Sequence, residues 1–430
     1  MKKNNVGRFY FAKAALLLGL LVFSAYGEPS IAVDSMEYIQ FSPIRPPLYP
    51  IFLWIFSLFG EYQFIAVKWA QFTIMAATLF YTWHWLCSRL SMSPWLAWLI
   101  VMITTWNIVV RFEVVASILS EGLAVPLFIL CVTSLVDCFK KVSFKRAMFF
   151  ILVINLLVLT RAQFYYMYML FPLLATWYFI KNIPKSSLYY VAVIMASTLV
   201  GAMIVNHSYH YYFNGHFSDA SIVGPQIIAA PLYLSSSSAE QYITNPEEKV
   251  FFQKIMKLLE DRHLTRDTSE TLKARSLDTE VMYYRLIFPE LFHFVYYENL
   301  KDMSSYQLNT ITENISKKLY LVQFKENIRF YIWKGISIFG GFPLFIGFIL
   351  VGAMYLLRIV IDRNYDPDYF QITVGSFSLI ILMNVFFVVL FVIASERYFI
   401  YSNFLIFCLG GILADKLFSM RSSESHLLAS

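Results

Sequence analysis

Asp34, Glu37 and Tyr38 are spaced so that a helix would carry all three on one face, and Arg45 follows just before the pair Pro46-Pro47. These residue types can do proton and anion chemistry. A carboxylate partly withdrawn from water has a raised pKa and becomes a better base. A guanidinium grips a phosphate by paired hydrogen bonds. The stretch VDSMEYIQFSPIRPPLYPIFLWIF, Val33 to Phe56, follows one hydrophobic run and ends as another. Both groups are therefore expected at the edge of an apolar layer. A solvated loop capping a helix uses the same residue types, so these residues alone leave both readings open.

The elements that must position them are membrane spans. Of the 430 residues, 58% are hydrophobic and only 14% charged, against about 25% charged in a soluble domain. Apolar runs of about 20 residues recur along the chain. Ten spans are expected, at 9–27, 63–88, 93–110, 117–136, 146–160, 163–180, 187–206, 335–357, 369–393 and 398–416. The start, MKKNNVGR followed by an apolar run to Tyr26, also resembles a secretory signal with Ala25-Tyr26-Gly27 as cleavage site. Because every later segment is apolar too, an uncleaved first span is the simpler expectation.

Charge orients the bundle. The run Leu48–Phe59 is too short to cross a hydrocarbon core and is expected at the interface. Loops on the amino-terminal side then hold Arg89, Lys140, Lys141, Lys145, Arg146, Lys181, Lys185, Arg358, Arg363, Lys416 and Arg421. The opposite short loops hold Arg45, Arg111, Arg161 and Arg397, one each. That asymmetry obeys the positive-inside rule, and treating Leu48–Phe59 as a span would reverse it.

Three blocks follow: a transmembrane catalytic module 1–206, an outer helical subdomain 207–334 and carboxy-terminal spans with a short tail, 335–430. The middle block is expected to open as irregular loop through Ser235–Ser238. A helix should then start at an Asn245 cap with Pro246 in its first turn. Further helices are expected around 268–288 and 305–324, with no strands and no internal repeat.

The outer loops collect Asp34, Glu37 and Arg45; Arg111, Glu113 and Glu121; Arg161 and Gln163; and Glu396-Arg397-Tyr398. Lys68, early in the second span, would snorkel outward or act as a ligand, and Lys13 would snorkel to the inner face. His207, His210 and His216 are the only histidine cluster, at the mouth of the seventh span. A divalent metal is possible there, although interfacial histidines beside tyrosines commonly hold none. The four cysteines lie in or beside apolar segments and form no CxxC, which indicates neither a disulfide framework nor a zinc site. No basic block interleaved with aromatics suggests nucleic acid.

The order D-x-x-x-Y at Asp34–Tyr38, then R-P-P-L-Y-P at Arg45–Pro50 before a segment ending in Phe59-Gly60, resembles the membrane glycosyltransferases of the GT-C fold. More narrowly, it is similar to the dolichyl-phosphate-mannose protein mannosyltransferases and the lipid A aminoarabinose transferases. Ser120-Glu121-Gly122-Leu123, Leu159-Thr160-Arg161 and Glu396-Arg397-Tyr398-Phe399 continue the match in family order. Together these motifs are specific for the superfamily and unspecific for substrate.

The resemblance implies an all-α polytopic bundle and an inverting transfer of a sugar from a polyprenyl-phosphate donor to an acceptor hydroxyl on a lipid, glycan or protein. Asp34 would be the general base, with Glu37 the alternative. Arg45 would bind donor phosphate. Tyr38, Lys68, Arg111, Glu121, Arg161 and Arg397 would line the substrate site. The family often carries adjacent Asp-Glu in the first loop, whereas here Ser35 follows Asp34. No cofactor beyond a possible metal is implied, and the expected setting is a bacterial inner membrane with the site facing the periplasm. A lipid or polysaccharide transporter, an O-antigen-type ligase or polymerase, and a non-catalytic assembly protein are the rival classes.

Overall fold

The structure, a computed structural model, describes residues 3–141, 143–181, 185–219, 222–266, 288–298, 303–338, 342–361, 366–391 and 396–428. Among these residues the chain is helical, with one isolated bridge between Ser30 and Ser117 and no strand. Five stretches are long and apolar enough to cross a membrane: Leu48–Arg89, Glu121–Lys140, Tyr189–Asn214, Tyr369–Leu390 and Arg397–Phe418. Lys13–Ser24, Pro94–Val110, Val223–Leu234 and Phe342–Arg358 are shorter apolar helices. The chain is thus an all-α integral membrane protein.

It divides into two compact units. The first comprises Met1–Phe217, Phe348–Met383 and Phe399–Ser430, and the second Ser218–Gly347 and Asn384–Tyr398. Late segments of the chain contribute to both units.

The first unit opens with α1 (Lys3–Ser24), α2 (Val33–Ile39), α3 (Leu48–Phe56), α4 (Gln63–Arg89) and α5 (Pro94–Thr104). It continues with α6 (Glu121–Lys140), α7 (Phe144–Thr160), α8 (Leu170–Ile180) and α9 (Lys185–Asn214). Helix α3 is separate from α4 because a 3₁₀ segment intervenes, and Gly60 within it has φ 56° and ψ −125°. Only glycine takes that conformation readily, so it ends the helix run that hydropathy alone would continue.

Helix α6 is the centre of the unit and packs on both α4 and α7. Leu123, Phe128, Ile129, Cys131, Thr133 and Val136 are all buried, so buried side chains surround the helix rather than form one stripe. A helix apolar all round belongs in a core.

Several boundaries differ from the hydropathy reading. The segment expected as one span over 163–180 begins as a 3₁₀ helix, Ala162–Met169. Phe164, Met167 and Leu170 are buried at a spacing of three, the repeat that a 3₁₀ helix, not an α-helix, places on one ridge. The span expected at 93–110 ends in a π-helical turn, Thr105–Val110. The fourth span starts at Glu121 rather than residue 117, because 111–118 is held as a turn stitched to Ser30. Helix α9 runs on to Asn214, and the tail expected to be short continues the helix Glu396–Leu428. Lys13 does not snorkel: it is buried, with Nζ 5.4 Å from the centre of the Trp98 ring.

In the second unit the stretch expected as irregular loop contains α10 (Val223–Leu234). Pro225 falls in its first turn, where no intrahelical N–H is needed, and Ile228, Ala229 and Leu232 form its buried stripe. It packs along the helix Ser305–Val322. The start expected at Asn245 is present: α11 (Pro246–Asp261) is capped by Asn245 Oδ1, which accepts from the amides of Glu247 and Glu248 at 2.9 and 3.3 Å. Glu248, buried, ties α11 to Ser305–Val322 through Lys318 Nζ at 2.7 Å and Asn314 Nδ2 at 3.0 Å. The helix expected over 268–288 lies outside the described residues but for its last.

Candidate functional site

The first outer loop folds back on itself. Helix α2 begins where Ser35 Oγ accepts from the Ala32 amide at 2.9 Å while the Ser35 amide donates to the Ala32 carbonyl. The position at which the resembled family often has a second acid is therefore a helix cap. Asp34, Glu37 and Tyr38 share the helix face that their spacing predicts. The chain then reverses at Phe41, whose φ of 53° lies in the left-handed region. Amides of Ser42 and Arg45 donate to the carbonyls of Glu37 and Ser42. That reversal brings Arg45 back over α2.

Arg45 is held between the two acids. Its Nε donates to Glu37 Oε2 at 2.6 Å, its Nη2 also contacts that oxygen, and the same Nη2 reaches Asp34 Oδ1 at 3.1 Å. Glu37 thus engages two guanidinium nitrogens and Asp34 one. The Asp34 side chain is 35% exposed, twice the 17% of Glu37 and of Arg45. Nη1 donates to the Tyr38 hydroxyl at 3.3 Å, and the guanidinium carbon lies 4.8 Å from the centre of the Tyr38 ring. Two carboxylates around one guanidinium leave this cluster with a net negative charge.

Tyr38 links that cluster to the second outer loop. Its hydroxyl is 2.8 Å from Ser120 Oγ, which donates to Glu121 Oε2 at 3.4 Å. Glu121 in turn pairs with Arg161 from the third loop, and both side chains are buried, 3% and 8% exposed. Arg45, Tyr38, Ser120, Glu121 and Arg161 therefore form one polar chain through the loops that follow α1, α5 and α7.

The frame beneath is built from polar residues inside apolar helices. Ser30 exchanges backbone hydrogen bonds with Ala116 and Ile118 at 3.0 and 2.9 Å. Gln71, fully buried in α4, donates to the carbonyls of Val115 and Ser117, each at 3.1 Å, and accepts from the Tyr49 hydroxyl at 2.8 Å. Tyr49 packs edge-on against Tyr38, ring centres 5.0 Å apart. Gly122 leaves room for this arrangement, since a Cβ there would lie 2.3 Å from the Gln71 amide. Gly122→Ala must push the amide away and strand the Val115 carbonyl, while the Ser117 carbonyl keeps the Leu119 amide at 2.9 Å. The expected cost is about 1–3 kcal/mol, the usual penalty of one buried group left without its partner. A wild-type unfolding temperature in detergent would mean that Gln71 moves freely.

The other expected site residues fall as follows. Lys68 is buried and its Nζ donates to the Gly27 carbonyl at 2.5 Å, which tethers the loop that follows α1. Arg111 is exposed at the start of the stitched turn, its guanidinium 5.3 Å from the Phe112 ring. Gln163 is buried in the 3₁₀ helix. Arg397 is half-buried and belongs to the second unit. No group of three or more His, Cys, Asp or Glu gathers into a metal-binding set among the described residues. His207 packs on Phe217, and His210 on Tyr209 and Asn214 Nδ2.

Sequence reasoning missed Gln71, Tyr49 and the role of Ser120. Gln71 had a signal, a neutral polar side chain within an apolar span. Ser120 had none beyond its place in a motif.

Comparison of the chain with protein families, with curated proteins and with solved structures finds no match.

Proposed function

We propose that the chain is an inverting glycosyltransferase that moves a sugar from a polyprenyl-phosphate donor to an acceptor hydroxyl at the outer face of a membrane. The observation that carries this reading is the guanidinium of Arg45 held between Asp34 and Glu37 at the end of an apolar bundle. The sequence resemblance to the GT-C enzymes supports it. The architecture proposed with it is a bundle of about ten spans, in which α1, Pro94–Val110, α7, the segment 162–180 and Phe342–Arg358 cross beside the five long ones and α3 lies in the interface. The setting proposed with it is a bacterial inner membrane with the site on the periplasmic side, and the asymmetry of the basic loops supports that orientation.

Asp34 acts as the base in this proposal, because its carboxylate is the more exposed of the two, 35% against 17% for Glu37. Glu37 holds Arg45 by two nitrogens and sets its orientation. As a donor phosphate arrives it displaces Asp34 from Nη2, which frees the carboxylate beside the reacting centre. The acceptor oxygen attacks the anomeric carbon, its proton passes to Asp34, and the bond to the phosphate oxygen breaks. Direct displacement inverts the anomeric carbon. The leaving polyprenyl phosphate carries its own negative charge, so cations that stabilise it contribute most. Because the cluster is net negative, Arg45 needs a second cation, and Arg111 on the adjoining turn supplies it. Arg161 is committed to Glu121 and shapes the wall.

Transporters concentrate ionisable groups near mid-membrane. The Glu121–Arg161 pair instead joins the first residue of α6 to the residue after α7, at helix ends. The test is mass analysis of envelope lipids, glycans and proteins from cells with and without this chain. One missing sugar is expected, and identical profiles would refute sugar transfer.

A further inference from the structure

At the other end of α4 and α6 from Lys68 and Glu121 lies a cavity of about 290 Å³ that the proposed transfer does not use. Helix α6, with 20 residues, separates the two ends by about 30 Å. Three cations converge on the cavity: Arg89 closing α4, Lys140 closing α6, and Lys416. They come from three separate loops that charge counting assigns to a single side. Positive-inside bias explains their side but not their gathering around one hollow.

The two acids in the lining are engaged by helix starts. Asp368 Oδ1 accepts from the Gln371 amide at 2.8 Å, and Asp415 Oδ1 accepts from the Ser93 amide at 3.3 Å, just before α5. The cations have looser contacts. Arg89 Nε is 3.6 Å from Asp137, with the Tyr369 ring centre 6.0 Å from its guanidinium carbon. Lys140 Nζ donates to the Pro367 carbonyl at 3.1 Å and lies 3.5 Å from Asp366. Lys416 Nζ lies 5.2 Å from the Phe370 ring centre. On the bilayer side of Lys416 the side chains of Leu413 and Ile406, seven residues apart on one face, are exposed, so an apolar face runs from there along the helix.

We propose that this cavity binds the phosphate group of a membrane lipid, with Arg89, Lys140 and Lys416 around the phosphate and the acyl chains lying over Leu413 and Ile406. A phosphate oxygen accepts hydrogen bonds from all three cations, and the aromatic rings of Tyr369 and Phe370 stand at the depth of the headgroup. The proposal is independent of the sugar-transfer reading.

The full chain, purified in detergent, would be titrated with phosphatidic acid, with phosphatidylcholine and with inorganic phosphate, reading bound ligand by native mass spectrometry and the unfolding temperature. Phosphatidic acid is expected to stay bound and to raise the unfolding temperature. Each neutralised cation should weaken it about fivefold, so the triple variant Arg89→Gln, Lys140→Gln, Lys416→Gln should lose it about a hundredfold. Lys416→Gln alone, at an exposed position, provides the fivefold test even if the triple variant does not fold. Equal effects of inorganic phosphate would confirm phosphate recognition and overturn the lipid as its source. Retention of phosphatidic acid unchanged in Lys416→Gln, or no preference over phosphatidylcholine, overturns the site.

Discussion

Asp34→Asn is expected to lower sugar transfer by about 10²–10⁴-fold, the usual contribution of a general base, while the protein stays folded and inserted. Asparagine keeps the shape of the side chain and an oxygen for Arg45 Nη2, so the 3.1 Å contact can persist. What is lost is the ability to take a proton. Glu37→Gln is the informative partner. It weakens the grip that sets the angle of Arg45, through Nε at 2.6 Å and Nη2. Its effect should therefore fall mainly on apparent donor affinity, with kcat reduced much less. Arg45→Ala should impair both, because it removes the phosphate ligand and leaves two carboxylates facing each other. A membrane assay with labelled lipid-linked sugar reads all three. Full activity in Asp34→Asn together with collapse of kcat in Glu37→Gln would move the base by one helical turn. Full activity in both would remove the carboxylates from the chemistry.

The largest effect on stability is expected from Arg161→Met. The Arg161–Glu121 pair is almost wholly out of water. Removing the cation strands a buried carboxylate, which costs about 3–5 kcal/mol. The double variant Glu121→Gln, Arg161→Met carries no buried charge and should recover most of that loss. Thermal unfolding in detergent measures both. If the single variant is as stable as the parent, Glu121 finds water or another donor, and the pair does not hold the loops together. Should the double variant be stable yet inactive, the pair matters to the reaction as well as to the fold. The polar chain running from Arg161 through Glu121, Ser120 and Tyr38 to Arg45 gives that second outcome a physical route.

Local rules carried some of the structure far. Asn245 before Pro246 and two acids announces a helix start, because capping depends on neighbours in sequence, and the cap is there. The spacing of Asp34, Glu37 and Tyr38 on one helix face is equally local. The opening of the middle block, expected as irregular loop, is instead α10, which takes Pro225 in its first turn and packs Pro231 among buried side chains. The 3₁₀ start at Ala162 had a legible sign in the buried threefold spacing, which looks like an apolar run when only hydropathy is averaged.

Composition and periodicity alone determined that this is an all-α membrane chain, where its acids and arginines cluster along the sequence, and which helix faces they share. Those properties depend on residues within a turn or two of one another. Tertiary structure alone decided that Arg45 turns back onto Glu37 and Asp34, that Tyr38 meets Ser120 across 82 positions, and that Lys68 is taken by Gly27 across 41. A buried polar group must find a partner, but any of several would satisfy it, and only the packed bundle selects which.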